Sequence, residues 1–190
     1  MREKSDISGF ILAGGKSTRM GFDKAFLLVK NKPLLQIMID VIEPFCQNVA
    51  IGGQNPDYAT FQVEMVPDTY SDCGPISGMY SVLKQSSTDW NLIVSVDVPF
   101  LNEELIRFLI LNIGEYDSVI PQHKAGIEPL VGLYHRRIWP VIDAQISNGN
   151  YKLRGLLSEI NTRFVDCNLM VEKFPELFLN LNSKEDFEAV

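Results

Sequence analysis

Three stretches of this chain are apolar with little polar alternation: Ile7 to Ala13, Asn48 to Gly53 and Asn91 to Val96. A strand with one wet face alternates polar and apolar residues; a strand covered on both faces does not. Buried strands of this kind belong to parallel sheets, whose crossovers lay helices over both faces. Helical signals lie between them. From Leu34 apolar residues recur at 34, 35, 38, 41, 42 and 45, which predicts an amphipathic helix with Pro33 in its first turn, ended by Glu43-Pro44 and Phe45. Alternating strands and helices predict an α/β fold: a mostly parallel, doubly wound sheet with helices on both faces. The 190 residues suffice for a single domain spanning 1–190.

The remaining elements follow in order. Lys30-Asn31-Lys32 reads as a turn, and Phe61 to Val66 as a strand with weaker alternation. Pro67 to Gly74 is loop chemistry, and Pro75 opens a helix that runs to about Lys84. Residues 102–112 read as a helix, with Asn102 as N-cap and Glu103 and Glu104 favoured by the helix dipole. Ser118 to Pro121 and Ile127 to Tyr134 read as strands, 136–147 and 152–160 as helices, and Phe164 to Cys167 as a last short strand. Phe178 to Asn182 leads to Ser183, the N-cap of a closing helix with Glu185 and Asp186.

Ligands of such sheets bind beyond the carboxyl ends of the strands. Three loops there carry chemistry: 14–24, 67–75 and 97–99. The first begins with Gly14-Gly15 and brings Lys16, Arg19 and Lys24 together within nine residues, with only Asp23 against them. Backbone N–H donors and positive charge in one concave place suit a polyphosphate. It is not a Walker loop, because the required first glycine falls on Phe10; nor does Gly14-Gly15-Lys16 match the dinucleotide fingerprint.

Asp97 directly follows the apolar run 92–96. A carboxylate at the end of a buried strand needs a partner or a metal, and Mg²⁺ favours one or two carboxylates plus phosphate oxygens. Asp97 is therefore a candidate ligand for nucleotide-bound Mg²⁺. Asp68, a second acid at a strand end, could help to hold the metal, contact the ribose or base, or form the turn. Lys24 and Arg19 would neutralise charge on a triphosphate and on its transition state. No Ser-His-Asp arrangement is legible, and His123 and His135 read as structural or exposed. A phosphate monoester has a second pKa near 6 and needs no base to attack. A cationic loop without an evident base thus favours a phosphate nucleophile.

Composition excludes other classes. The net charge of −7 argues against a general nucleic-acid binder, and the concentration of cations in one loop argues for a small anion. Cys46, Cys73 and Cys167 form neither a metal spacing nor a disulfide framework, which suits reduced thiols in a cytoplasmic protein. No signal peptide is expected before the first strand, and no apolar run approaches the ~20 residues needed to cross a membrane.

The loop Leu12-Ala13-Gly14-Gly15 with Arg19-Met20-Gly21 and Lys24 resembles the signature of the nucleotidyltransferases that act on sugar-nucleotide-type substrates. Further stretches narrow the resemblance to the molybdenum cofactor guanylyltransferases: Val66-Pro67-Asp68, Gly74 to Gly78, Ser95 to Phe100, Glu128 to Tyr134, and Asn180-Leu181-Asn182-Ser183 with Asp186. It covers nearly the whole chain. The resemblance implies a single-domain, Rossmann-like nucleotidyltransferase fold. It implies transfer of GMP from GTP, with Mg²⁺, to the terminal phosphate of molybdopterin carrying molybdenum, and release of pyrophosphate. Carried over by position, Leu12, Ala13, Gly14, Lys24, Gly52, Asp68 and Gly74 would contact the nucleotide, and Asp97 would bind Mg²⁺ and GTP. Gly15 and Arg19 would lie near the reacting phosphates, and Asn180 and Asn182 on the pterin side. The implied partners are small molecules, with neither nucleic acid nor membrane, and with transient contact to molybdenum-insertion or target apo-enzymes. The chain departs from the pattern in three places. Gly52-Gly53 stands where the family often has an asparagine near guanine; Ser77 replaces a small apolar residue; Ser183-Lys184 replaces threonine-proline. The two glycines leave room for a cytidylyltransferase, and a GTP-binding protein without transfer is the alternative of another class.

Overall fold

The computed structural model describes residues 6–14, 23–181 and 186. Its strands are β1 (Ile7–Leu12), β2 (Leu28–Val29), β3 (Lys32–Pro33), β4 (Asn48–Gly52), β5 (Glu64–Val66), β6 (Trp90–Ser95), β7 (Ser118–His123), β8 (Gly126–Ile127), β9 (Val131–His135) and β10 (Thr162–Asp166). The helices are α1 (Leu34–Ile42), α2 (Pro75–Gln85), α3 (Glu103–Leu111), α4 (Trp139–Ser147), α5 (Leu153–Glu159) and α6 (Asn168–Lys173). The main sheet has the order β10-β7-β9-β6-β1-β4-β5, with β8 paired to β7. β1 lies between β4 and β6 and is parallel to both; β5 is parallel to β4 and β10 to β7.

Helices cover both faces, as the unbroken apolar strands require. Ile7 and Ile11 of β1 join Leu92 and Val94 of β6 in a core built with α1 and α3. Phe10 and Leu12, with Ile93, face the opposite core, built with α2, α4 and α5. At Gly9 the end of α1 and the turn after it approach so closely that a Cβ would lie 3.0 Å from Ile42 Cδ1 and 2.8 Å from the Cys46 sulfur. Asn102 caps α3 as expected, its side chain accepting from the Leu105 N–H at 3.0 Å.

The expected elements hold, with corrections. Phe61 to Val66 is not one strand: a 3₁₀ helix, Pro56–Phe61, runs first, and Gln62 takes a left-handed conformation (φ 56°) before β5. Ile127 to Tyr134 is also divided. β8 returns on β7, and β9 begins only after Glu128-Pro129-Leu130. β9 is antiparallel to both β6 and β7. The connection 124–130 is too short for a parallel crossover, which takes a dozen or more residues, so the chain must double back. Residues 136–138 form a 3₁₀ turn ahead of α4. The segment 25–33 carries a small hairpin, β2 to β3, whose turn residues Lys30 and Asn31 both have positive φ. α6 has no counterpart in the sequence reading, and the expected closing helix falls largely outside the described residues.

One core position is unsatisfied. Gln145 in α4 is 3% exposed, and neither its Oε1 nor its Nε2 has a hydrogen-bond partner. A buried amide without partners opposes folding. Gln145→Met, of similar size, should raise stability by about 1–3 kcal/mol. A higher urea midpoint with an unchanged slope would show it; a lower midpoint would mean that the amide is satisfied.

Candidate active site

The strand register builds the site. Val66, Gly52, Leu12 and Ser95 lie side by side across β5, β4, β1 and β6. Gly14, Asp68 and Asp97 each stand two residues beyond this row, so the sheet delivers all three to one edge. Hydrogen bonds between the strand ends fix them there. The Ala13 and Gly14 N–H groups both donate to the Gly52 carbonyl, at 2.9 and 3.2 Å, and the Gly53 N–H donates to Val66 O at 3.1 Å. The Val96 N–H donates to Leu12 O at 3.1 Å.

A cavity of about 490 Å³ opens at this edge. Leu12, Gly14, Gly52, Asp68 and Gly74, all expected on the nucleotide, line it. Tyr70, Asp72, Cys73, Pro75 and Gly78 line it as well, and none of them is among the site residues expected from the sequence. Two glycines make room for the Asp68 carboxylate. A Cβ on Gly14 would lie 3.4 Å from Asp68 Oδ2, and one on Gly78 would lie 3.4 Å from Oδ1. A Cβ on Gly52 would meet Leu12 Cδ2 at 2.8 Å, so a side chain there would displace Leu12 from the cavity wall. Gly74 is different: it has φ 71° with open space around it, so its backbone conformation, not crowding, calls for glycine. Burial pushes the Asp68 carboxyl above the usual carboxylate range.

The wall of the cavity explains Ser77. Its hydroxyl donates to Tyr70 O at 2.6 Å and accepts from the Tyr70 N–H at 3.2 Å. One turn on, Ser81 Oγ accepts from the Thr69 N–H at 2.8 Å. The two serines of α2 thus hold the loop against the helix, a task for which a small apolar residue has no groups. The Tyr70 hydroxyl donates to Asp143 Oδ1 at 2.5 Å, and this bond, with burial, pushes its pKa up to about 12.

Of the other expected residues that the structure describes, Ala13, Lys24, Asp97 and Asn180 do not line this cavity. Asp97 follows β6, and its Oδ1 is buried with no hydrogen-bond partner among the described residues. An orphaned carboxylate oxygen at the end of a buried strand fits a residue that holds a cation. Among the described residues no three His, Cys, Asp or Glu side chains gather into a metal cluster. The Asp97 carbonyl accepts from the Leu181 N–H at 2.9 Å, which fastens the segment carrying Asn180 beside it. Asn180 itself is exposed. Ala13 is buried, with its N–H on Gly52 and its carbonyl accepting from the Tyr58 hydroxyl at 3.0 Å. Lys24 opens a 3₁₀ helix capped by Asp23. Gly15, Arg19 and Asn182, with Lys16, lie outside the described residues.

The histidines and cysteines take structural places. His123 stacks on Phe178 with ring centroids 5.0 Å apart, and its Nε2 lies 2.9 Å from Glu128 Oε1. His135 Nδ1 accepts from the Arg137 N–H at 3.2 Å, and burial lowers its pKa. Cys46, Cys73 and Cys167 are buried thiols.

Comparison with known proteins agrees with this architecture. The family model of the MobA-like NTP transferase domain matches residues 9–163. A protein of Aliivibrio fischeri strain MJ11 named molybdenum cofactor guanylyltransferase is 34% identical over 193 residues, covering 99% of this chain and 97% of its own length. The crystal structure of molybdopterin-guanine dinucleotide biosynthesis protein A from Archaeoglobus fulgidus superposes with a TM-score of 0.80 at 21% identity, covering 96% of this chain and 95% of that one. A Mycobacterium tuberculosis protein solved in complex with manganese shares the fold with a TM-score of 0.65 at 14% identity, covering 96% of each chain. With its family match over most of its length, its strand ends gathered at one cavity and its relative identical at one residue in three, the chain belongs to the MobA-like NTP transferase domain family.

Proposed function

We propose that this chain, acting as one transferase domain over residues 1–190, moves GMP from GTP to the terminal phosphate of molybdopterin carrying molybdenum. The observation that supports the reading best is the one sheet edge to which the strand register brings Gly14, Asp68 and Asp97, with a cavity there lined by Leu12, Gly14, Gly52, Asp68 and Gly74. The relative named molybdenum cofactor guanylyltransferase supports the choice of substrates.

The chemistry needs few groups. An oxygen of the acceptor phosphate attacks the α-phosphorus of GTP. A new P–O bond forms, the α–β bridge breaks, and its electron pair leaves with pyrophosphate. The attacking monoester is largely ionised at neutral pH, so no base must take a proton. The protein's part is to bring two anions together. Leu12, Ala13, Gly14, Gly15, Gly52, Asp68 and Gly74 hold the nucleotide. Lys24 and Arg19 offset negative charge on the phosphates. Asn180 and Asn182 hold the acceptor next to Asp97. Asp97 is the residue that would hold Mg²⁺, a group that neutralises phosphate oxygens when bound; its buried, unpartnered Oδ1 fits that task. The manganese complex of the mycobacterial neighbour supports a divalent ion. Three buried cysteines kept as thiols support a reducing, cytoplasmic setting. Transient contact with molybdenum-insertion or target apo-enzymes would receive the product.

Thermal melting with Mg²⁺ and each of GTP, CTP, ATP and UTP tests the reading. GTP at a hundred times its Kd should stabilise the protein by about 2.7 kcal/mol, and the other nucleotides by much less at the same concentration. Pyrophosphate release with GTP and molybdopterin should follow. Preference for CTP would replace the guanylyl by a cytidylyl reading. Stabilisation by GTP without transfer would leave only a binding protein.

A further inference from the structure

The two described ends of the basic loop, Ala13-Gly14 and Asp23-Lys24, are joined through one side chain. Tyr58 is 2% exposed and lies in the 3₁₀ helix Pro56–Phe61, beyond β4. Its hydroxyl donates toward Asp23 Oδ2 at 2.7 Å and toward Ala13 O at 3.0 Å. A phenol has one proton, so a single donor is shared between two acceptors that flank the loop. Asn55 Nδ2 donates to the same Asp23 oxygen at 2.8 Å. The other oxygen, Oδ1, accepts from the Ala25 N–H at 3.0 Å and caps the turn that begins at Lys24. Three neutral donors therefore hold the only carboxylate of an otherwise cationic loop.

The ring is fixed as firmly as the hydroxyl. Tyr58 Cε2 lies 3.0 Å from where a Cβ on Gly53 would stand, so Gly53 leaves the space that the ring fills. On its other side Tyr58 meets Phe26 with ring centroids 5.9 Å apart, and Phe26 meets Phe61 at 5.6 Å. Tyr58 thus contacts the end of β1, the end of β4 and the turn after Lys24 at once.

We propose that Tyr58, with Asn55, is a positioning residue for nucleotidyl transfer: it fixes Asp23 against Ala13 and so sets Lys24 relative to Gly14 at the triphosphate. This rests on the transferase reading above. Charge-assisted hydrogen bonds are directional and stronger than neutral ones, so loss of the hydroxyl unties Asp23 from Ala13 and leaves it to Asn55 and the Ala25 N–H, while the packed ring stays. A small displacement of a charge-stabilising group away from the chemistry can lower a rate by about a hundredfold.

The test compares wild type with Tyr58→Phe and Asn55→Asp. Asn55→Asp keeps the oxygen that accepts from the Asp57 N–H at 3.0 Å and turns only the Asp23-facing donor into an anion. Both variants are expected to lower kcat/KM for GTP about 10–100-fold. The Asn55→Asp loss should deepen at low ionic strength, where like charges repel most. Affinity for guanosine, which has no phosphate, should change less than about twofold, a difference too small to signal a lost hydrogen bond. A structural role alone would lower the melting temperature and weaken guanosine and GTP in parallel; that result, or unchanged kcat/KM in Tyr58→Phe, overturns the proposal. If wild type binds GTP but transfers nothing, the transferase reading fails, and the ratio of GTP to guanosine affinity still decides on Tyr58. If wild type binds no nucleoside triphosphate, the proposal falls with the reading.

Discussion

Asp97→Ala should reduce GMP transfer about a hundredfold or more while leaving the melting temperature unchanged or raised. The rate loss is on the scale seen when one preorganised charge-stabilising group is removed. The stability side follows from burial. Asp97 Oδ1 has no hydrogen-bond partner, and a buried oxygen in that state disfavours the fold. Alanine removes the burden along with the function. The β6 end does not depend on the side chain, because the Asp97 carbonyl still accepts from Leu181 and the Val96 N–H still donates to Leu12 O. Asp97→Asn keeps the shape but not the charge, and should be nearly as poor at low metal concentration. Transfer rates against added Mg²⁺, with melting curves beside them, separate the outcomes. Normal turnover in Asp97→Ala would remove the metal assignment.

What made Asp97 legible was contrast: a polar residue directly after an uninterrupted apolar strand. The same contrast located β1, which is buried along its whole length between β4 and β6, and β4, whose second half is buried. Legibility failed where local signals gave way to long-range ones. Ile127 to Tyr134 reads as one apolar run, yet it is shared between β8 and β9, and the break at Glu128-Pro129-Leu130 follows from the short connection rather than from hydropathy. α6 contributes no fully buried side chain, so it has no apolar stripe to betray it.

The site divides in the same way. Leu12, Gly14, Gly52, Asp68 and Gly74 line the cavity as expected, because glycines and acids at strand ends are local signals. Tyr58 and Tyr70 carried none. Their importance comes from partners far along the chain, Ala13 and Asp23 for one and Asp143 for the other. Gly78 was the one missed residue with a usable clue. A glycine inside an apolar helix signals close approach, and here Leu12 Cδ2 would stand 3.2 Å from its Cβ.

Asp68→Asn should make the nucleotide-free protein more stable at neutral pH and its complex with GTP weaker. The Asp68 carboxylate is half-buried at the cavity, between Gly14 and Gly78, and has no side-chain hydrogen bond among the described residues. Burial therefore raises its pKa. The sign follows. Below the ordinary carboxylate value both folded and unfolded chains carry the proton, and the full stability is present. As the pH climbs from there through the raised folded value, the unfolded chain ionises first and stability falls. Above that window the deficit is constant. Asparagine does not titrate, so denaturation midpoints of variant and wild type should draw apart across this window, with the variant higher. Nucleotide binding should run the other way. Donors on a ribose or base that reach a charged, desolvated acceptor gain about 1.5–3 kcal/mol, so their loss should raise the Kd for GTP roughly 10–100-fold. Calorimetric titration of GTP into both proteins reads that change. Unchanged affinity together with lower stability would make Asp68 a turn-forming residue, and the base and sugar would then have to be held by the Tyr70 to Gly74 wall instead.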